Sequence, residues 1–310
     1  MKNILHLTIG HSPFDDRIFF KECSLLKHKY NVLLLACMND GNLYDMAGNH
    51  KDPGLYDDIY VDGFTLAPKN RYLKALTSTT LGYTKEIIKK LNQRNFKPDI
   101  IHCHEPASLM QATKLKKHID CKLIYDVHEF FLGYSFDRYK DPLRSVFHLG
   151  KELRQIKMLF KYVDATISVN DIIRSYNVVL NPYIKHILVS NGYIFDETDQ
   201  ASSNMSAKIV LVHEGSLSFN RGLKFMIECF DDEYFRKNVI LKIVGELRNQ
   251  EKLYFEEQAK IKPWLLDSIV QTGWLDYMEV PKHLSGSMGL ILMEPAVNNL
   301  LAGPPNKLFN

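Results

Sequence analysis

Short apolar runs alternating with longer amphipathic segments constrain this chain more than any other feature of its sequence. "NILHLTI" (3–9), "NVLLLAC" (31–37), "DIIHCH" (99–104), "KLIYDVH" (122–128), "DATISV" (164–169) and "HILVSN" (186–191) are rich in leucine and β-branched residues and lack strict alternation. Such runs suit parallel strands covered on both faces. Helical patterns separate them. "DDRIFFKECSLLKH" (15–28) places Ile18, Cys23, Leu25 and Leu26 near one stripe, and "PASLMQATKLKKH" (106–118) opens with proline, a favoured first helical residue. Strand and helix in alternation predict a doubly wound α/β sheet.

The segment "DETDQASSNMSA" (196–207) breaks the rhythm, being polar, small and aperiodic. The pattern then restarts with "KIVLVHEG" (208–215), "NVILKIVGE" (238–246), "SIVQTGW" (268–274) and "MGLILME" (288–294). A chain of 310 residues is too long for one ordinary core and suits two. We therefore expect one α/β domain over 1–196, a linker over 197–207 and a second α/β domain over 208–310. The last residues, "GPPNKLFN" (303–310), read as a helix start, and the chain stops about one turn later. That favours a fragment whose second domain is incomplete.

Composition narrows the function classes. Apolar residues make up 45% and charged residues 24%, the balance of a soluble globular protein. A formal charge of +3 is too small to argue for nucleic acid. No apolar run approaches the roughly 20 residues that span a bilayer. "MKNILHLTIGHSPFDDR" (1–17) turns acidic where a signal peptide would offer a cleavage site, so it reads as a first strand. Five scattered cysteines without a C-x-x-C pair fit free thiols in a reducing cytoplasm.

The chemistry concentrates at strand ends. In "DIIHCHEPASL" (99–109), His102 and His104 share one face of a strand and Cys103 takes the other. A tetrahedral zinc needs three or four converging ligands, and no second Cys/His pair stands at suitable spacing, so no metal is expected. The strand end itself is where open α/β sheets bind ligands. The plainer reading is a histidine satisfied by backbone partners. "YDVHEFF" (125–131) repeats the arrangement with His128 and Glu129, and the two ends together suggest a polar wall for hydroxyls or phosphates. Gly10, in "TIGHSPFDDR" (8–17), is either an ordinary βα turn or a close approach to an anion at a helix start. It is no G-x-G-x-x-G fingerprint. In "HEGSLSFNRGLKFMIECF" (213–230) a strand ends at Gly215 and Arg221–Gly222 opens a helix. Backbone amides and a guanidinium there would suit a diphosphate in a crevice between domains, unless Arg221 is simply a solvated charge.

The ordered set of motifs resembles the retaining glycosyltransferases of family 4, which have the GT-B fold of two Rossmann-like domains. The resemblance rests on His11 with "DRIFFKE" (16–22) and Leu25, on "DIIHCHEP", "YDVHE", "DATISVN" and "VSNGY", on Gly215, Leu217, Arg221 and Gly222, and on "KIVGE" and "PNKLF". It covers essentially the whole chain. It implies that Arg221 holds the donor diphosphate, with Gly10 facing it from the first domain and His104 near the reacting sugar. It also implies donor contacts at His128, Ser216, Glu246, Trp274, Lys307 and Asn310. Two departures stand out. Ser216 replaces a second basic residue, and the family's E-x7-E pair falls on Ala302 and Asn310, with Glu294 nearby at the wrong spacing.

What the resemblance implies is transfer of a sugar from a nucleotide-sugar donor to a hydroxyl of a glycan or lipid-linked acceptor, without a cofactor or metal. The chain contains no Asp-x-Asp triplet. A sugar-nucleotide epimerase of the same fold and a non-catalytic nucleotide-sugar-binding subunit are the alternatives. The basic stretches "KEIIKKLNQRNFK" (85–97) and "KLKKH" (114–118) either touch anionic lipid at a membrane surface or are solvated helix faces.

Overall fold

The computed structural model describes residues 1–38, 40–65, 81–130, 142–190, 208–215, 217–275 and 279–291. These fall into two compact units, one on residues 1–190 and one on 208–291. The first unit contains β1 (Asn3–Thr8), β2 (Asn31–Met38), a small antiparallel pair β3 (Leu43–Tyr44) and β4 (His50–Lys51), and β5 (Gly54–Tyr56). Then come β6 (Ile59–Thr65), β7 (Ile100–Cys103), β8 (Lys122–Val127), β9 (Ala165–Ser168) and β10 (Lys185–Leu188). The main sheet runs β10-β9-β8-β7-β1-β2-β6-β5 and is parallel except where β5 pairs with β6. Each strand expected from the sequence is present within a residue or so at its start.

Side-chain alternation splits the centre of this sheet into two unlike faces. Leu5 and Leu7 of β1, Ile101 and Cys103 of β7, and Leu123 and Tyr125 of β8 pack with Ile87, Leu91, Leu109 and Leu115 of the helices Leu81–Gln93 and Pro106–Leu115. On the other face Val32, Leu34 and Ala36 of β2 and Ile59 and Val61 of β6 meet Ile18, Phe19 and Cys23. That face turns polar beside them: His6 lies opposite His102 across β1 and β7, and Asp126 follows on β8, all buried.

The regular helix expected over 15–28 is a π-helix at Asp16–Cys23 followed by one α-turn, Ser24–Leu26. The carboxylate of Asp15 caps its start, accepting from the Arg17 and Ile18 amides at 3.0 and 3.2 Å. At 3.6 residues per turn, residues five apart point away from one another; the i→i+5 register of a π-helix stacks them. Arg17 and Glu22 therefore meet, Nε to Oε1 at 3.0 Å.

The sequence pattern hides β6 because Asp62 and Gly63 interrupt it. Asp62 is 2% exposed and is held by Lys90 at 2.8 Å and Arg94 at 2.8 Å. Those two cations of the basic 85–97 stretch are thus engaged inside the fold, not displayed as free surface charge. Among the described residues no helix is long and apolar enough to cross a membrane.

The second unit has β11 (Ile209–Glu214), β12 (Val239–Val244), β13 (Ile269–Gln271) and β14 (Met288–Gly289) in the order β13-β12-β11-β14, all parallel. Its core joins Leu241 and Ile243 to Leu217, Leu223, Ile227, Phe230, Phe255 and Leu265. The ends of β11 and β12 nearly touch. A Cβ on Gly245, whose φ is +143°, would lie 2.9 Å from the carbonyl carbon of Gly215. Gly245→Ala should therefore cost about 1–3 kcal/mol, read as a lowered midpoint in denaturant with unchanged slope. A midpoint equal to wild type would contradict this packing.

Candidate functional site

The polar patch under the π-helix is a buried cluster of imidazoles and carboxylates. Register brings His6, His102 and Asp126 to one sheet face, and the chain beyond β7 and β8 adds His104 and His128. The π-helix contributes Arg17 and Glu22 from above. Arg17, 7% exposed, donates from Nη2 to both oxygens of Asp126 at 3.1 and 3.2 Å and from Nε to Oδ2 at 3.2 Å. The rings of His102 and His104 stack at 4.7 Å, and His6 tilts against His102 at 4.5 Å.

Nitrogen contacts run in sequence through this cluster. His6 Nδ1 lies 3.1 Å from His104 Nε2, His104 Nδ1 lies 3.2 Å from His128 Nε2, and His128 Nε2 lies 3.1 Å from Asp126 Oδ2. Burial, then the neighbouring imidazoles, hold His6 and His104 well below the usual histidine range, so both are neutral near pH 7. A neutral imidazole has one donor and one acceptor nitrogen, which is what an ordered chain of rings requires. Burial alone would raise Asp126, but the imidazoles of His128, His102 and His104 hold it well below the carboxylate range. Glu22 moves the other way, pushed up by burial and by the charge of Asp126, with Arg17 opposing.

Beside the cluster, Glu105 fixes the glycine turn. Its carboxylate accepts from Thr8 Oγ1 at 3.1 Å, from the Gly10 amide at 3.2 Å and, more closely, from the Ile9 amide. The Gly10 N–H is therefore spoken for by Glu105. Ser108 Oγ accepts from the amides of His104 and Glu105, which seats both residues at the start of the helix that Pro106 opens. The turn borders a cleft of about 120 Å³ lined by Gly10, His11, Cys37, Asn42 and Tyr44. His11 Nδ1 lies 3.6 Å from Asp15 Oδ2, and its ring lies 5.1 Å from that of His128.

The second unit places other expected residues. Arg221 ends a short 3-10 turn, Phe219–Arg221, and Gly222, at φ 82°, caps the helix Leu223–Cys229. Glu246 lies past the end of β12, where Arg248 Nε reaches its Oε1 at 3.3 Å, and the Arg248 guanidinium sits 5.6 Å over the Trp274 ring. Arg248 thus links two residues named from sequence. Ser216, Lys307, Asn310, Ala302, Glu294 and the expected linker at 197–207 lie outside the described residues.

The fold brings His104 and His128 together. It surrounds them with His6, Arg17, Glu22 and Asp126, to which sequence reasoning gave no role. The signal available for His6 and Asp126 was a polar residue inside an apolar strand run, which is uncommon unless it is partnered. Arg17 and Glu22 gave no such signal, since five-residue spacing is not a face of an α-helix.

No protein-family model matches the chain, and no curated protein matches its sequence. Solved structures do. Sucrose-phosphate synthase from Thermosynechococcus elongatus aligns over 93% of this chain and 74% of its own, with TM-score 0.63 and 14% identity. HepE from Anabaena, in complex with UDP and glucose, aligns over 93% and 72%, with TM-score 0.60 and 14% identity. The catalytic domain of starch synthase IV from Arabidopsis thaliana, bound to ADP and acarbose, aligns over 97% and 80%, with TM-score 0.59 and 12% identity. These neighbours are GT-B glycosyltransferases, and the chain shares their fold of parallel α/β sheets flanked by helices.

Two outcomes follow. Arg17→Met strands Asp126 as a buried charge and should cost about 3–5 kcal/mol in equilibrium unfolding; a loss under 1 kcal/mol would refute the buried pairing. The second concerns pH. Burial works against a charge on His11, but Asp15, then Glu105 and Glu129, overcome it and raise its pKa from 6.5 to about 9. The stability it contributes is complete below pH 6.5 and lost as pH rises through about 9. Asp15, lowered from 3.8 to about 2, contributes fully above 3.8 and loses its share as pH falls through about 2. Denaturant melts of His11→Gln and wild type should differ most between pH 4 and 6.5 and converge above pH 9.

Proposed function

We propose that this chain is a glycosyltransferase that moves a sugar from a nucleotide-sugar donor to a hydroxyl of a glycan or lipid-linked acceptor. The observation that carries this reading is the fold shared over 93% of the chain with enzymes such as HepE, a protein solved with UDP and glucose. The ordered motifs of the sequence support it. Residues 1–196 form the acceptor side, 197–207 the linker and 208–310 the donor side. The work takes place in the cytoplasm, with peripheral contact at the membrane where the acceptor is lipid-linked.

The roles follow from the chemistry. Breaking the anomeric bond develops positive charge on the sugar ring and negative charge on the departing diphosphate. Fixed dipoles and a cation at the diphosphate stabilise that transition state, commonly the largest catalytic contribution. Arg221 supplies the cation, and Ser216 and Lys307 are the further donor contacts that the family resemblance implies. Glu246, Trp274 and Asn310 hold the nucleotide and ribose. No metal is assigned to the diphosphate.

His104 stands by the reacting sugar, and His128 orients it. The contacts His6–His104–His128–Asp126 engage both ring nitrogens of the buried His104 and fix its ring and tautomer. Departure and attack on the same face of the sugar give retention.

Arg221→Ala should weaken UDP, GDP or ADP binding, whichever raises the melting temperature of the wild-type chain, by about 10- to 100-fold. Sugar transfer should fall at least in proportion. Unchanged nucleotide affinity in that variant would refute the diphosphate assignment.

A further inference from the structure

We propose that Glu22, His102, His104 and Asp126 form a binding site for a divalent transition metal, zinc by the character of its ligands. The sequence offers only the His102/His104 pair and no second Cys/His pair to complete it. The fold supplies two carboxylates instead, one from the π-helix and one from β8.

Three observations converge. One ligand atom from each residue lies within 4.8 Å of all the others. Glu22 Oε2 is 3.6 Å from His102 Nε2 and 3.9 Å from His104 Nδ1, and Asp126 Oδ2 is 3.6 and 3.8 Å from the same nitrogens. Metal–ligand bonds of 2.0–2.2 Å give a tetrahedron with edges of about 3.4 Å, so four of these edges need close by only a few tenths of an ångström. Finally, His102, 4% exposed, has its Nε2 buried with no hydrogen-bond partner among the described residues, and the same holds for Glu22 Oε2. A buried nitrogen and a buried carboxylate oxygen facing each other beyond hydrogen-bond distance are what a coordinated ion would satisfy.

The surroundings fit the same ion. With His104 Nδ1 as ligand, its Nε2–H donates to His6 Nδ1 at 3.1 Å, the outer partner that fixes a ligating histidine. His128 Nε2–H keeps its 3.1 Å bond to Asp126 Oδ2. Burial and the charge of Asp126 favour a proton on Glu22, and a bound cation would take that proton's place between the two carboxylates. Two imidazoles and two carboxylates in a closed, protein-filled site match zinc better than magnesium or calcium, which take oxygen ligands and water. The ion would tie β7, β8 and the π-helix together. The proposal is independent of the glycosyltransferase reading, because binding and stability report it without any assay of sugar transfer.

The test uses the full chain after dialysis against a chelator. Titration with Co2+ should give one equivalent bound with the intense visible absorption of a four-coordinate ion, displaced by Zn2+. Zn2+ at about 100 times its dissociation constant should raise the melting temperature by roughly 5 °C or more. Glu22→Gln and His102→Gln should each weaken binding more than about 100-fold, beyond the loss expected for an outer partner alone. His28→Gln, an exposed site, should leave binding unchanged. X-ray absorption of the zinc-loaded wild type should show only nitrogen and oxygen neighbours, which keeps the test decisive if a variant fails to fold. A wild-type chain that binds no ion, a sulfur-containing shell, or equal binding by both cluster variants would overturn the proposal.

Discussion

Arg17 and Asp126 hold the first unit's polar interior together. A guanidinium and a carboxylate this deeply buried are tolerable only as a pair with further hydrogen bonds, and removing one leaves the other expensively charged. The pair explains the π-helix above it. Only the wider i→i+5 register lets Arg17 reach Asp126 while Glu22 stacks beside it. It also explains the cap, since Asp15 fixes the helix start from which Arg17 projects.

Around that pair the sheet divides its work between two faces. One is apolar and packs under helices, which provides stability. The other is apolar only beneath Ile18, Phe19 and Cys23 and then gives way to histidines and carboxylates. Such a network restricts tautomers and ring positions, because both nitrogens of His104 are claimed by particular neighbours, His6 and His128. The strands end where His104, Glu105 and His128 sit, so the same rigidity reaches the sheet edge at which open α/β folds meet ligands.

The sequence made parts of this legible and hid others for identifiable reasons. The strand centres could be read because fully buried parallel strands are near-continuous apolar runs. The helix at Pro106–Leu115 could be read because proline marks its start. Strand β6 could not, since Asp62 looks like a break until Lys90 and Arg94 arrive from a distant helix to neutralise it. The candidate site was half visible. His104 and His128 stood out as polar strand ends, whereas nothing in the sequence tied Glu105 to the distant Gly10 turn that it clamps.

By itself the sequence determined the alternation of strands and helices, the face that each strand residue takes, and the order of motifs along the chain. All of these follow from local periodicity and steric preference within a few residues. Tertiary structure alone decided that β1, β7 and β8 lie side by side, and that the helix after β1 winds with a five-residue register. It alone gathered four histidines and Asp126 beneath Arg17 and Glu22 of that helix. Those choices depend on which buried charges find partners from far along the chain, and no short window of sequence contains both members of such a pair.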